Sequence, residues 1–276
     1  VELHRHGRGG SRPFFVCPPA DPARPAELAG FGDVGEEPEV ATFYGQTVDV
    51  YEDFEDALSG WTETDADNNI DAQSTDAEYA GAQGLKFNMN GDTAGGETFF
   101  IGTDTGGNKA SISFGFWFYA DDLAAAYNTN LFAFTDAITT HNKYHCQLNY
   151  RKNPSGELRI RNTSATFSGT VTLPAMNAWY WITIKSVKAD TCSMNVYDTT
   201  GAQVGVTVTV TGSNNDCRYI VFGADTARDY DDNLYFDEVV ADYADATFPL
   251  LGWVPAAPSG PSLPVVMQHY ARLMEN

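Results

Sequence analysis

The sequence is poor in several features that would point to a particular class of protein. Its 276 residues include only four cysteines, Cys17, Cys146, Cys192 and Cys217, and none of them forms a C-x-x-C pair. In a chain of this length, scattered cysteines are most simply reduced and partly buried, with a disulfide framework as the alternative.

No apolar stretch is long enough to cross a bilayer, and residues 1–8 lack the apolar segment of a secretion signal. We therefore expect no membrane insertion, and export only by another route or after loss of a leader.

Positive charge is also scarce. The chain has 16 Lys and Arg against 37 Asp and Glu, which gives a formal net charge of -21. An acidic surface repels polyanions at long range, so we expect no binding to nucleic acid or to anionic lipid. Cationic partners, calcium and neutral polymers such as glycans are compatible with this charge.

Short strands dominate residues 46–247. Residues 112–119 place Ile112, Phe114, Phe116 and Phe118 on one face of a strand and Ser113, Gly115, Trp117 and Tyr119 on the other. Residues 144–151 and 158–161 flank the turn sequence Asn-Pro-Ser-Gly and predict a hairpin with His145, Gln147, Asn149 and Arg151 outward. Further strands are predicted at residues 179–187, 193–197, 204–210 and 218–222. Within this central region, helical periodicity is weak and is confined to residues 121–127.

Two acidic strands mark the ends of this region. Residues 51–61 contain Phe-Glu-Asp, and residues 234–243 contain Phe-Asp-Glu about 180 residues later. We predict that they are the opening and closing strands of one β-sandwich and lie beside or near each other.

The two ends of the chain differ from its centre. Residues 1–45 are rich in Pro and Gly and predict an extended arm with a basic start, while residues 248–276 predict a proline-rich linker and a short helix. The arm is interpreted as a docking segment, with a disordered terminus or a vector remnant as the alternative. Residues expected to contact other subunits are Arg5, Arg8, Arg12, Phe14, Phe15, Trp253 and Tyr270.

The order of several short motifs resembles the concanavalin A-like jelly rolls, which include laminin G-like domains and carbohydrate-binding modules. The motifs are Phe-Glu-Asp from Phe54 with Gly60-Trp61, the segments 79–87, 112–118, 177–184 and 194–198, and Phe-Asp-Glu-Val from Phe236. The resemblance covers roughly residues 50–245. It implies an all-β, two-sheet antiparallel jelly-roll sandwich, here with an N-terminal arm and a C-terminal tail. This fold serves lectins, glycanases, adhesins and virus surface proteins, so it does not by itself decide the function.

The catalytic pattern of glycanases with this fold is missing. Such enzymes carry Glu-x-Asp-x-Glu on one strand, so that two carboxyl groups can flank a glycosidic bond. Here Asp53 and Glu55 alternate, but Tyr51 and Ala57 occupy the flanking positions. There is also no Gly-x-Ser-x-Gly, and the five histidines have no recognisable partners. We therefore expect a protein that is not an enzyme.

Calcium is the cofactor that the resemblance implies. Related carbohydrate-binding jelly rolls hold a structural calcium between a glutamate of the first strand and an aspartate of the last, and Glu55 and Asp237 match these positions. Two other acidic loops, Asp65-x-Asp67-x-Asn69 and Asp229-x-Asp231-x-Asn233, offer oxygen ligands. Neither loop has the glycine and glutamate of a helix-loop-helix calcium site, and solvated acidic turns explain both equally well.

Glycan binding would need aromatic rings beside amides and guanidinium groups on an outward sheet face. The candidate residues are Trp117, Tyr119, His145, Gln147, Asn149, Arg159 and Arg161. The alternative is that Trp117 and Tyr119 lie under a loop or the arm as packing residues. For Trp179 and Trp181 the same two interpretations, glycan binding and packing, stay open.

Two functions follow from these features. In the first, the chain is a structural or decoration protein of a virion, such as a phage, or of a similar surface assembly. Its tails bind capsid or appendage subunits, and its jelly roll faces outward and binds neutral glycans. In the second, it is a carbohydrate-binding module of a secreted or cell-surface protein. Both place it on a virion surface or outside the cell.

Overall fold

A computed structural model describes residues 42–43, 46–56, 58, 60–64, 70–88, 97–120, 127–138, 143–152, 156–164, 166–227 and 233–243. These residues form 17 β-strands. The described residues include no helix that could span a membrane.

Seven of the described strands form the first antiparallel sheet. In sequence order they are β4 (Trp61–Thr64), β7 (Glu97–Lys109), β9 (Tyr127–Thr135), β10 (Tyr144–Lys152), β11 (Gly156–Arg161), β12 (Val171–Thr172) and β16 (Cys217–Ala227). Their order across the sheet is β12-β11-β10-β9-β16-β7-β4.

Eight described strands form the second antiparallel sheet. They are β3 (Val50–Glu52), β5 (Ile70–Ser74), β6 (Gly84–Asn88), β8 (Ser111–Ala120), β13 (Ala178–Val187), β14 (Thr191–Tyr197), β15 (Val208–Thr211) and β17 (Asn233–Asp242). Their order is β15-β14-β13-β8-β17-β6-β5, and β3 pairs with β17 beside this path. A separate pair, β1 (Thr42–Phe43) and β2 (Gln46–Thr47), completes the described strands. The predicted all-β, two-sheet antiparallel sandwich is confirmed.

The opening and closing strands are neighbours, as the sequence predicted. Glu52 pairs with Val239, and Val50 pairs with Ala241. The pairing therefore joins the two ends of the sandwich in sequence and is a long-range contact.

Aromatic residues fill the space between the sheets. The alternation predicted for residues 112–119 is confirmed, since Phe114, Phe116 and Phe118 of β8 are fully buried in the main core. Phe116 packs edge-on against Phe222 of β16 in the facing sheet, with ring centroids 5.1 Å apart. Each such ring removes a large apolar area from water, so the core accounts for much of the stability.

A second apolar cluster lies outside the eight-stranded sheet. Trp117 of β8 and Trp181 of β13 are fully buried there, beneath Phe43 and Tyr79. Phe43 stacks on Trp181 with an interplanar angle of 8°. Phe43 falls within the segment 1–45 that the sequence assigned to the arm, so the end of that segment packs on the sandwich.

Three of the four cysteines lie in the described residues. Cys146, Cys192 and Cys217 are buried free thiols, as expected for reduced cysteines. Burial raises the pKa of Cys217 to about 12, which keeps this thiol protonated and unreactive at neutral pH.

The expected tail contacts lie outside the described residues. These are Arg5, Arg8, Arg12, Phe14, Phe15, Trp253 and Tyr270, together with the predicted helix at 265–274. The acidic loops at 65–69 and 229–231 also lie outside them. Both the assembly role of the tails and calcium binding by these loops stay predictions.

Gly115 tests the second cluster, because a Cβ atom at this position would overlap the ring of Trp181. Gly115→Ala should lower the free energy of unfolding by about 1–3 kcal/mol, the usual cost of overpacking. Urea denaturation measures it. Gly169→Ala is the control, since its Cβ would make an ordinary 3.6 Å contact with Val208. Equal stabilities for the two variants would contradict the packing of Trp181 over Gly115.

Candidate functional site

The predicted hairpin of β10 and β11 presents a polar row on the outer face of the seven-stranded sheet. Gln147 pairs with Arg161, and Asn149 pairs with Arg159. The alternating residues, such as Leu148, point into the core and are fully buried. Strand alternation therefore brings four of the predicted glycan-binding residues onto one surface.

Hydrogen bonds hold the two arginine side chains across this row. Arg159 donates from Nε to Oδ1 of Asn149 at 2.8 Å, and Arg161 donates from Nε to Oε1 of Gln147 at 2.7 Å. Asn149 donates in turn to Oδ1 of Asn130 on β9 at 3.2 Å. The terminal Nη atoms of both guanidinium groups make no hydrogen bond to the described residues. Each arginine is therefore fixed at one edge and keeps its other edge for an acceptor.

An aromatic ring completes this surface, and sequence analysis did not identify it. Phe167 forms an isolated β-bridge with Arg161, and its ring lies 3.7 Å from the guanidinium carbon of Arg159. It is one of the few exposed large apolar side chains among the described residues, at 37%. Phe167 stands in a polar segment with no alternation, so only its exposure could have drawn attention to it. We call Gln147, Asn149, Arg159, Arg161 and Phe167 the arginine platform.

His145 does not belong to the arginine platform, and its predicted outward position is wrong. Tyr144 pairs with Thr135 while Gln147 pairs with Ala133, so three residues on β10 span two on β9. This β-bulge puts Tyr144 on the same face as Gln147 and turns His145 into the protein. His145 is fully buried, with Nε2 2.7 Å from the carbonyl oxygen of Asn215. Burial lowers its pKa.

Trp117 and Tyr119 are also separated from the other predicted glycan-binding residues. They lie on β8 in the eight-stranded sheet, so the expected single surface divides between opposite sides of the sandwich. Trp117 is fully buried under Tyr79, with ring centroids 3.7 Å apart, which confirms the alternative that it lies under a loop. Tyr119 is half-buried between Trp179 and Tyr235.

Asp237 fixes the loop that covers Trp117. Its Oδ2 accepts hydrogen bonds from the backbone N–H groups of Tyr79 and Ala80 at 2.8 and 2.9 Å, and its Oδ1 accepts one from Glu238 at 2.8 Å. A bulge in β17, where Glu238 has a φ of 47°, follows this residue. The carboxylate of Asp237 thus holds Tyr79 in place over the indole of Trp117.

Glu55 fixes the other end of the same loop. Its Oε1 accepts hydrogen bonds from the backbone N–H groups of Ala82 and Gln83 at 2.6 and 2.9 Å. Gly81 lies between the two anchor points with a φ of 73°, and a Cβ there would overlap the Glu55 carboxylate. The predicted pair of carboxylates therefore acts on one loop, which a glycine allows to approach closely.

A calcium ion would have to share carboxylates that backbone donors already occupy. Asp237 accepts three backbone hydrogen bonds, and among the described residues no three His, Cys, Asp or Glu side chains are grouped to hold a metal. The loop backbone itself provides the positive partial charge that a cation would supply. Calcium binding by Glu55 and Asp237 stays a prediction.

An acidic pocket of about 420 Å³ lies beside β3 and is separate from the arginine platform. Asp49, Glu52 and Asp104 line it, with Trp61 and Tyr243. Each carboxylate has a structural partner: Asp49 and Glu52 accept backbone hydrogen bonds, and Asp104 pairs with Arg218. Burial raises the pKa of Glu52. Each of these acids therefore has a role within the fold.

The Asp237 carboxylate makes stability depend on pH. Burial raises its pKa from 3.8 to about 7, although the backbone hydrogen bonds act in the opposite direction. The folded state therefore binds a proton that the unfolded state has lost, and stability should fall as pH rises from about 4 to about 7. The slope is at most about 1.4 kcal/mol per pH unit. Asp237→Asn should remove this contribution, as measured by urea denaturation across this range.

The control for Asp237→Asn is Asp71→Asn, because Asp71 is exposed. Its unfolding free energy, measured in the same way, gives the effect of an aspartate-to-asparagine change at an exposed position. A difference between wild type and Asp237→Asn that stays constant from pH 4 to pH 8 would contradict the assignment.

Comparisons with known proteins concern the fold. No family model matches the sequence, and no curated protein matches it significantly. Similar solved structures include the CBM2 module of Lactobacillus casei BL23 phage J-1 evolved Dit, with 14% identity, 72% of this chain and 96% of that chain covered, and a TM-score of 0.49. The T. cruzi calreticulin globular domain has 11% identity, coverages of 83% and 95%, and a TM-score of 0.48.

The receptor binding domain of botulinum neurotoxin D is a third similar structure, with 14% identity and a TM-score of 0.45. The match covers 74% of this chain and 48% of that chain, so the chain spans about half the length of the botulinum structure. At these identities, the three likenesses concern the β-sandwich alone and do not identify a ligand.

Proposed function

We propose that the protein is a non-enzymatic glycan-binding module and that the arginine platform is its binding surface. The observation that supports this most is the fixed geometry of Arg159 and Arg161, each anchored by Nε while its Nη atoms make no hydrogen bond to the described residues. Sugar hydroxyl groups are such acceptors. A surface whose donors are already positioned loses little side-chain entropy when a ligand binds.

Phe167 adds the apolar part of the site. Its exposed ring lies beside the two arginines and can cover the C–H face of a pyranose, while Arg159 packs against it. Sugar-binding sites combine one aromatic surface with a few polar groups that fix orientation. The arginine platform has both within one hairpin and its neighbouring segment.

The other described arginines differ from these two. Arg151 forms an ion pair with Glu157, and Arg218 forms one with Asp104. Their guanidinium groups are engaged within the fold, so we assign them to structure. Arg218 consequently provides a matched control for binding experiments.

The proposal includes the absence of catalysis. Hydrolysis of a glycosidic bond needs two carboxyl groups on either side of it. Beside the arginine platform, Glu157 is the described carboxylate on the outer face of β11, and it is bound to Arg151 through Nε at 2.7 Å. This arrangement favours binding without bond cleavage.

Substitution of the platform arginines tests the proposal. Glycan-array binding by the full chain should be lost, or weakened at least about tenfold, in Arg159→Gln and in Arg161→Gln, because each removes charge-assisted hydrogen bonds to the ligand. Arg218→Gln should bind like wild type. Unchanged binding in both platform variants, with their folding checked by thermal unfolding, would place the site elsewhere.

A role in a surface assembly remains the second proposal. In it, residues 1–45 and 248–276 attach the sandwich to a capsid or appendage, and the arginine platform faces outward on a virion surface or outside a cell. What supports it is the composition of the tails, with a basic start on a chain of net charge -21. Electrostatic attraction would orient the arm toward an acidic neighbour.

Deletion of residues 1–40 tests the assembly role. The shortened protein should keep the thermal unfolding midpoint of the sandwich, because Phe43 and all the described strands remain. It should no longer be incorporated into the parent assembly when the two are mixed and separated by sedimentation. Normal incorporation of the shortened protein would contradict this role.

A further inference from the structure

The residues of the arginine platform also indicate which class of glycan it would bind. The inference below rests on the proposed function. We infer that the arginine platform recognises a glycan through an acidic substituent, a carboxylate or a sulfate on one sugar. The sequence alone suggested neutral glycans, because the net charge of -21 opposes anionic ligands.

The first observation concerns the hydrogen-bond and ion-pair partners of the arginines in the described part of the chain. Arg151 and Arg218 each have a carboxylate partner there. Arg159 and Arg161 instead bond to the side-chain amides of Asn149 and Gln147, which are neutral. Glu157 also attracts Arg159, but it forms its ion pair with Arg151, so these three arginines share one carboxylate and the group keeps a net positive charge.

The second observation is the partial burial of this charge. Arg159 and Arg161 are half-buried, and the amides below them are almost fully buried, Gln147 at 2% and Asn149 at 4%. Burial lowers the pKa of Arg159, and the charges of Arg151 and Arg161 lower it further, while Glu157 acts in the opposite direction. A ligand anion would relieve this unfavourable environment, because an opposite charge favours the charged form of the guanidinium.

The third observation is the orientation of the guanidinium groups. With Nε bound to the sheet, the two Nη atoms of each arginine form a planar donor edge. Such an edge matches the two oxygens of a carboxylate or sulfate in a bidentate arrangement. A neutral hydroxyl group can use only part of this geometry.

The net charge limits the kind of acidic glycan. Repulsion from the acidic body is screened beyond roughly 8 Å at physiological ionic strength. A single acidic sugar seated on the arginine platform therefore meets mainly the local guanidinium groups, whereas a long polyanion also meets the acidic surface. We expect isolated acidic sugars to bind better than polyanionic chains.

The experiment uses the full chain on an array of carboxylated, sulfated and neutral glycans. Acidic glycans should dominate the bound set, and the comparison of carboxylated with sulfated members identifies the anion. The best carboxylated glycan and its methyl ester are then compared by calorimetry. The acid should bind at least about tenfold more tightly, in keeping with a charge-assisted bidentate contact.

Variants assign this preference to the arginine platform. Arg159→Gln and Arg161→Gln should reduce the ratio of acid to ester affinity toward one, and Arg161→Lys should keep part of it because the charge remains. Arg218→Gln should leave the ratio unchanged. A peptide with three glutamates serves as an anionic ligand without a sugar and should bind at least about tenfold more weakly, since it lacks the ring that stacks on Phe167.

The outcomes distinguish the acidic-sugar inference from the proposed glycan binding on which it rests. Array binding confined to neutral glycans, or equal affinities for the acid and its ester, overturns the acidic-sugar inference and leaves glycan binding intact. The absence of any bound glycan overturns both. Tight binding of the glutamate peptide overturns the sugar requirement.

Discussion

The first and last strands of the sandwich, β3 and β17, are bonded side by side, and the other strands of both sheets lie between them in sequence. β17 also lies between β8 and β6, in the interior of the eight-stranded sheet. Its Asp237 carboxylate holds the backbone of the loop at Tyr79 and Ala80 from below. Closure of the fold and placement of this loop therefore depend on the same strand.

The two outer faces of the sandwich differ, because the loop anchored by Asp237 covers only the eight-stranded sheet. On the eight-stranded sheet, the anchored loop and Phe43 bury Trp117 and Trp181, so their aromatic surface contributes to stability. On the seven-stranded sheet, the Nη atoms of Arg159 and Arg161 make no hydrogen bond to the described residues, and the exposed ring of Phe167 lies beside them. The proposed glycan binding uses this second face, where the sheet positions polar groups that keep hydrogen-bonding capacity for a ligand.

Residue alternation predicted the parts of the fold that depend on local periodicity. It identified the core face of β8 and the outward face of the β10 strand at Gln147 and Asn149, because side chains in a regular strand alternate between faces. It failed at His145, since a bulge adds a residue that no local pattern reveals. It also could not separate Trp117 from Arg161, because sheet membership depends on long-range pairing. The backbone acceptor role of Asp237 was hidden for the same reason.

The central claim is that the arginine platform binds glycans, and NMR chemical-shift mapping tests it most directly. A glycan that binds the full chain is titrated while the backbone amides and the arginine Nε–H signals are followed. The account predicts that the largest shifts occur at Asn149, Arg159, Arg161 and Phe167. Shifts centred instead on Tyr119, Trp179 and Tyr235, or on the acidic pocket at Glu52 and Asp104, would contradict it.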